Sequence, residues 1–130
     1  MTNTQHPTET RALRGRRAWH SGMRAEDLAC QALAAQGWAV LGRRLRTAAG
    51  EIDIVAERDD VLALVEVKQR ASLAEAASAL STRQQARLMA AAEIVLAQFP
   101  GHGTAGVRFD VMLVDAAGAV RRIQDAFRLE

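Results

Sequence analysis

The chain contains no tyrosine, and two tryptophans and three phenylalanines supply all its aromatic surface. A protein that grips single strands by stacking successive bases needs more aromatic faces than that. If nucleic acid is bound, backbone contacts to structured duplex are the better expectation. One cysteine, Cys30, cannot form an internal disulfide. Its neighbours Leu28, Ala29, Ala32 and Leu33 suggest a helix, where a buried structural thiol is expected rather than a nucleophile. The longest apolar runs, Val61–Val65 among them, fall far short of a membrane span. The segment from Met1 to Arg17 lacks the apolar stretch of a secretory signal. These absences point to the cytoplasm, with no membrane partner. His6, His20 and His102 show no ligand spacing, which argues against zinc. Gly101, Gly103 and Gly106 do not follow a strand and open a helix, so no phosphate loop is indicated.

What is present fits one domain: 130 residues, 49% hydrophobic and 25% charged. The formal net charge is only +2, but the basic residues are unevenly spread. Arg11, Arg14, Arg16 and Arg17 crowd the first segment, and Arg43, Arg44 and Arg46 form a second group. Arg83 with Arg87, and Arg121 with Arg122, make two smaller ones. Planar guanidinium groups suit phosphate recognition, although a solvated surface in an arginine-rich chain explains the same pattern.

Residues 1–17 are polar and aperiodic and read as a disordered basic tail, leaving residues 18–130 as a single domain. Between Trp19 and Gln36 the apolar spacing of Met23, Leu28, Ala32 and Leu33 predicts an amphipathic helix, with Gly37 just past its end. Strands follow over Trp38–Arg46, Glu51–Glu57 and Val61–Lys68, the last apolar enough to be central. Ala71–Leu80 is ambiguous between short helix and loop. Ser81 and Gln84 form a capping box ahead of a long helix that Pro100-Gly101 closes. Two more strands are expected at Val107–Val114 and Val120–Phe127. The order αβββαββ predicts an α/β fold, a mixed central sheet flanked by helices.

The hairpin of residues 51–68 gathers the informative charges. With Asp59 and Asp60 as its turn, Ile52, Ile54 and Ala56 oppose Val67, Val65 and Ala63 on a wholly apolar surface. The other surface then opposes Asp53 to Glu66 and Glu51 to Lys68. Two opposed carboxylates repel. A shared proton, a cation or a metal relieves that repulsion. Mg²⁺ uses one or two carboxylates beside waters and substrate phosphate. Lys68 lies two residues beyond Glu66, on the same side of a strand. It is also the only lysine among 17 basic residues. Lysine offers a compact charge of tunable proton affinity, which arginine does not. A Glu51–Lys68 cross-strand ion pair beside an incidental acid accounts for the same residues without a site.

At these residues the sequence resembles a known family. Gly50-Glu51-Ile52-Asp53-Ile54-Val55-Ala56 and Val65-Glu66-Val67-Lys68-Gln69-Arg70 are similar to the signature of the YraN-like uncharacterised bacterial proteins. That family is related to archaeal Holliday-junction resolvases within the PD-(D/E)xK restriction-endonuclease-like superfamily. Gly22, Ala25, Glu26, Gly37, Arg46 and Arg108-Phe109-Asp110-Val111 extend the likeness from about Gly22 to Phe127. The resemblance implies a restriction-endonuclease-like core. It also implies metal ligands Asp53 and Glu66, a catalytic Lys68, and Glu26 as a third carboxylate, direct or through water. The family often has asparagine where Arg44 stands, and usually has lysine near the start of the long helix, where this chain has Gln84 beside Arg83.

The expected function is therefore a Mg²⁺- or Mn²⁺-dependent endonuclease acting on structured or branched DNA. Arg43, Arg44, Arg46, Arg70 and Arg83 are its expected phosphate contacts. A homodimer is expected by analogy with resolvases. Two other classes fit: a nucleic-acid-binding module without turnover, and an interaction protein whose acidic cluster is structural. Glu51 and Asp110 have no assigned role, and Asp110 suits an arginine partner.

Overall fold

A computed structural model of the chain describes residues 24–71 and 81–127. The proposed tail, the start of the first helix and the ambiguous segment at 72–80 lie outside the described residues. A first helix, α1, covers residues 24–35. Strands β1 (Ala39–Thr47), β2 (Gly50–Arg58) and β3 (Val61–Gln69) follow. Helix α2 (Thr82–Gln98) and strands β4 (Gly106–Val114) and β5 (Val120–Phe127) complete the order. The five strands form one sheet in sequence order. All neighbours are antiparallel except β3 and β4, which run parallel. Parallel neighbours require a long crossover, and α2 lies within it.

Local chemistry explains the element ends. Gly37 has φ 85, and Trp38 N–H and Gly37 N–H donate to Leu33 and Ala34 carbonyls at 3.0 Å each. That paired closure needs a left-handed residue, which glycine adopts without strain. Asp59 and Asp60 take φ 51 and 64, and Arg58 pairs with Val61 across them. A two-residue turn of this type matches the twist of the flanking strands, and aspartate tolerates the left-handed region. Ser81 Oγ accepts from Gln84 N–H at 3.2 Å while Gln84 Oε1 accepts from Ser81 N–H at 3.1 Å, completing the capping box. Among the described residues no helix is long and apolar enough to cross a membrane.

The sheet is covered on both faces. Leu88, Ala91, Ala92 and Val95 of α2 pack on Ile52, Val55, Leu62, Leu64 and Phe109. Ala29 and Leu33 of α1 pack with Trp38 on Ile54, Ala56, Ala63, Val65 and Met112. The expectation that Ile52 shares one surface with Ile54, Val65 and Val67 therefore needs correction. Ile52 turns toward α2 with Val55, whereas Ile54, Val65 and the half-buried Val67 face α1. Strict alternation along β2 fails between Ile52 and Val55. The β2–β3 ladder also stops at the Ile54–Val65 rung. Both strands continue past that rung without pairing to each other, and this opening shapes the site.

Candidate active site

Beyond Ile54 and Val65 the two central strands part, and the Asp53 side chain enters the gap. Its Oδ2 accepts from the Val67 backbone N–H at 2.8 Å. A side chain thus satisfies a donor that a ladder partner would otherwise take. Asp53 lines an open cleft of about 190 Å³ on the α1 side, with Glu26, Arg44, Glu51, Val67 and Gln69. Its carboxyl is pushed up from 3.8 to about 7, first by burial and then by the Glu66 charge. A hydrogen bond shared with Glu66 and the Glu26 charge add to the rise, while the Val67 N–H opposes it. The two carboxylates are therefore brought together, as the hairpin register predicts. They meet across an opened ladder rather than a paired rung.

Glu66 is anchored from the other face. It is 7% exposed, and its Oε2 accepts from Arg87 Nη2 at 3.1 Å. Arg87 Nη1 donates to the Glu51 carbonyl at 2.8 Å, so one α2 guanidinium braces both strands of the fork. Gly50 makes room for it. A Cβ there would lie 2.7 Å from Arg87 Nη1 and 2.9 Å from its Cδ, and φ is +135. The sequence pattern groups Arg87 only with Arg83. The available signal was helical spacing from the Ser81 cap together with a glycine at the start of β2.

Glu26 is not an exposed helix charge: it is 4% exposed. Its oxygens accept from Arg43 Nε at 3.0 Å and Arg44 Nε at 3.2 Å. Arg43 also donates to Asp27 at 2.6 Å, and this contact chiefly raises the Arg43 pKa. Arg44 reaches the cleft from a strand position with φ 49, near an irregularity in β1 pairing at Val40–Gly42. Three of the five expected phosphate contacts, Arg43, Arg44 and Arg46, are thus already paired with acids. Arg70 and Arg83 are exposed, and Arg46 is 90% exposed with Glu51 at 3.7 Å. Lys68 is half-buried on β3 and, among the described residues, has no ion-pair partner, Glu51 included. Asp110 stands apart from the cleft, 1% exposed and bonded to Arg108 and Arg122. Cys30 is half-buried on α1, and burial is the main reason its thiol is raised.

The donor set suits a hard divalent cation in part. Asp53 and Glu66 are adjacent oxygen donors, and Mg²⁺ typically uses one or two carboxylates. Among the described residues no group of three acids, histidines or cysteines is placed to hold one ion. Glu26 lies in the same cleft, but a direct bond to an ion competes with its bonds to Arg43 and Arg44.

The sequence profile described as uncharacterised protein family UPF0102 matches residues 25–114. The chain belongs to this family. A UPF0102 protein of Granulibacter bethesdensis is 62% identical over 122 residues, covering 94% of this chain and 77% of that one. Another, from Azorhizobium caulinodans, is 48% identical over 125 residues, 95% of each chain. A third, from Acidiphilium cryptum, is 47% identical over 126 residues, covering 97% of this chain and 98% of its own. The UPF0102 match spans Glu26, Asp53, Glu66, Lys68, Arg87 and Asp110. The entire fork and its braces therefore fall inside the family region.

Proposed function

We propose that this UPF0102 protein is a metal-dependent endonuclease for structured or branched DNA, acting through Asp53, Glu66 and Lys68. The carrying observation is the fork. Two strands separate so that Asp53 and Glu66 adjoin, at a cost visible in the Asp53 carboxyl pushed up to about 7. A fold that tolerates such repulsion beside an open cleft has reason to hold a cation there. The αβββαββ order and the Gly50–Ala56 and Val65–Arg70 segments support kinship with PD-(D/E)xK nucleases and Holliday-junction resolvases. By the same analogy we read a homodimer, and the single cysteine suits the cytoplasm.

In this reading Asp53 and Glu66 hold Mg²⁺ or Mn²⁺. When bound, such an ion supplies a more acidic water and polarises the phosphodiester. Arg87 keeps Glu66 aimed into the fork. Lys68, with no acidic partner among the described residues, is available to a phosphate oxygen or to an attacking water. Glu26 holds Arg43 and Arg44 beside the cleft. Arg46 and Arg70 adjoin the cleft residues Glu51 and Gln69, which supports a role for them in contacting backbone phosphates.

One observation favours the second reading, a nucleic-acid-binding module without turnover: Glu26 is occupied by two arginines. A cleavage assay on duplex, flap, fork and four-way DNA with Mg²⁺ or Mn²⁺ separates the two. Metal-dependent cutting that vanishes in Lys68→Ala supports the nuclease. Tight binding of the same panel with no product overturns it in favour of the module.

A further inference from the structure

A second constellation gathers around Trp38, drawing Arg58 from the end of β2, Arg108 and Asp110 from β4 and Arg122 from β5. Three guanidinium groups gather around one buried indole. The Cζ atoms of Arg122, Arg108 and Arg58 lie 4.5, 4.8 and 5.3 Å from the Trp38 ring centroid. Trp38, next to the glycine that closes α1, is 4% exposed. Cation–π attraction offsets part of the mutual repulsion of such a group, but it supplies no hydrogen-bond acceptor in the ring plane.

Acceptors are scarce here. Arg108 Nη2, Arg122 Nε and Arg122 Nη2 all donate to the same oxygen, Asp110 Oδ2. Gln36 takes one bond from Arg122 at its Oε1 and one from Arg58 at its backbone carbonyl. The remaining acid, Asp59, stands 3.6 Å from Arg58 Nε with its side chain 87% exposed. Among the described residues these three cations thus meet one buried carboxylate and one solvated one. Arg108 uses one of its five N–H donors, and its buried Nε has no acceptor; neither has the buried Trp38 Nε1. Buried donors left unpaired carry their full desolvation cost, so an acceptor brought to these two would be favoured.

The geometry points to a second binding site here, separate from the cleft, for a phosphate-class oxyanion. Arg108 and Arg58, with side chains 24% and 47% exposed, present the open edge. Arg122, 7% exposed and committed to Asp110 and Gln36, holds the frame. A tetrahedral anion offers several acceptor oxygens at once, which suits guanidinium donors arriving from two strands. The site stands on these contacts alone and does not depend on the nuclease reading. Free phosphate and a nucleic-acid backbone carry the same recognised group.

The test uses the full chain with Trp19→Phe, which leaves Trp38 as the only tryptophan of the two. Its emission is followed while inorganic phosphate, or chloride at equal ionic strength, is titrated in. A duplex oligonucleotide forms a third arm. Saturable change with phosphate and not with chloride is expected, and Arg108→Gln should raise the phosphate Kd about tenfold. Arg58→Gln lies outside the Asp110 network and should fold even if Arg108→Gln does not; it should raise Kd about threefold. Saturation by duplex, displaced by phosphate, assigns the group to a nucleic-acid backbone; saturation by phosphate alone assigns it to a free anion. Phosphate and duplex titrations that both superimpose on chloride, or variants that bind as the parent does, overturn the site.

Discussion

Asparagine at position 53 keeps the shape of the side chain and removes its charge, which isolates the electrostatics of the fork. The Asp53 carboxyl is raised from 3.8 to about 7 in the folded protein. An unfolded chain releases that proton near the ordinary value, while the folded chain keeps it until about pH 7. Between the two the folded state binds a proton the unfolded state lacks, so stability falls as pH rises through this window. Below it the contribution is fully present; above it the cost is complete. At about 1.36 kcal/mol for each pH unit spanned, the ceiling is about 4 kcal/mol. Asparagine escapes this cost and still accepts from the Val67 N–H, but its amide N–H must find a partner. A net gain of about 1–3 kcal/mol at pH 8, shrinking toward zero or below at pH 4, is expected for Asp53→Asn without metal.

Urea titrations of both proteins from pH 4 to pH 8, with chelator, read the difference directly from midpoints at unchanged slope. A difference that stays constant with pH refutes the reasoning. Destabilisation by about 3–5 kcal/mol at pH 8, the scale of a broken buried ion pair, makes the cluster structural and supports the interaction-protein reading. Mn²⁺ added at pH 7 should stabilise the parent and leave Asp53→Asn nearly unmoved, because a neutral amide is a poor ligand for a hard cation. Equal responses count against the metal site.

Three further outcomes are expected. Lys68→Ala and Lys68→Arg should leave DNA affinity within about threefold while cutting cleavage at least about a hundredfold; Lys68→Arg turning over at the parental rate would reduce the lysine to a charge. Gly50→Ala should cost about 1–3 kcal/mol in denaturant melts, from strain and from collision with Arg87. Its effect should fall sharply when combined with Arg87→Ala, and strict additivity would show that the two do not touch. Asp110→Asn should cost about 3–5 kcal/mol, because it leaves Arg108 and Arg122 without their shared carboxylate; a parental melting temperature would show that network to be dispensable.

The hairpin was legible because loop length and turn chemistry fix register without knowledge of the rest of the chain. Two aspartates at positive φ set the Ile54–Val65 pairing as the sequence pattern predicts. The Ser81–Gln84 cap is equally local. The assignment of faces was not legible. Strands covered on both sides are apolar on both sides, so periodicity cannot say whether Ile52 meets α1 or α2. Nor does alternation foresee a strand opening where a side chain, Asp53, replaces a ladder bond. The burial of Glu26 was hidden for a different reason, since its partners Arg43 and Arg44 lie 17 and 18 residues away. Arg87 and Glu51 are separated by 36 residues, beyond the reach of any local motif.

The fork is asymmetric, and under the proposed function that asymmetry makes Asp53 the open position of the pair. A pair of acids kept only for structure is expected to have its charge answered on both members. Glu66 has a guanidinium at 3.1 Å, whereas among the described residues no cation pairs with Asp53. Asp53 instead faces an open cleft, held by the Val67 N–H and by the hydrogen bond it shares with Glu66. Glu26, another acid of that cleft, is paired with two arginines, and its charge adds to the rise at Asp53. One carboxylate is therefore left to take a proton or a cation from solvent, beside a neighbour already aimed by Arg87. Occupation of that position by a divalent ion would displace the proton that Asp53 holds near neutrality, so metal uptake at pH 6 should release protons and fail to do so in Asp53→Asn. A structural cluster predicts no such release.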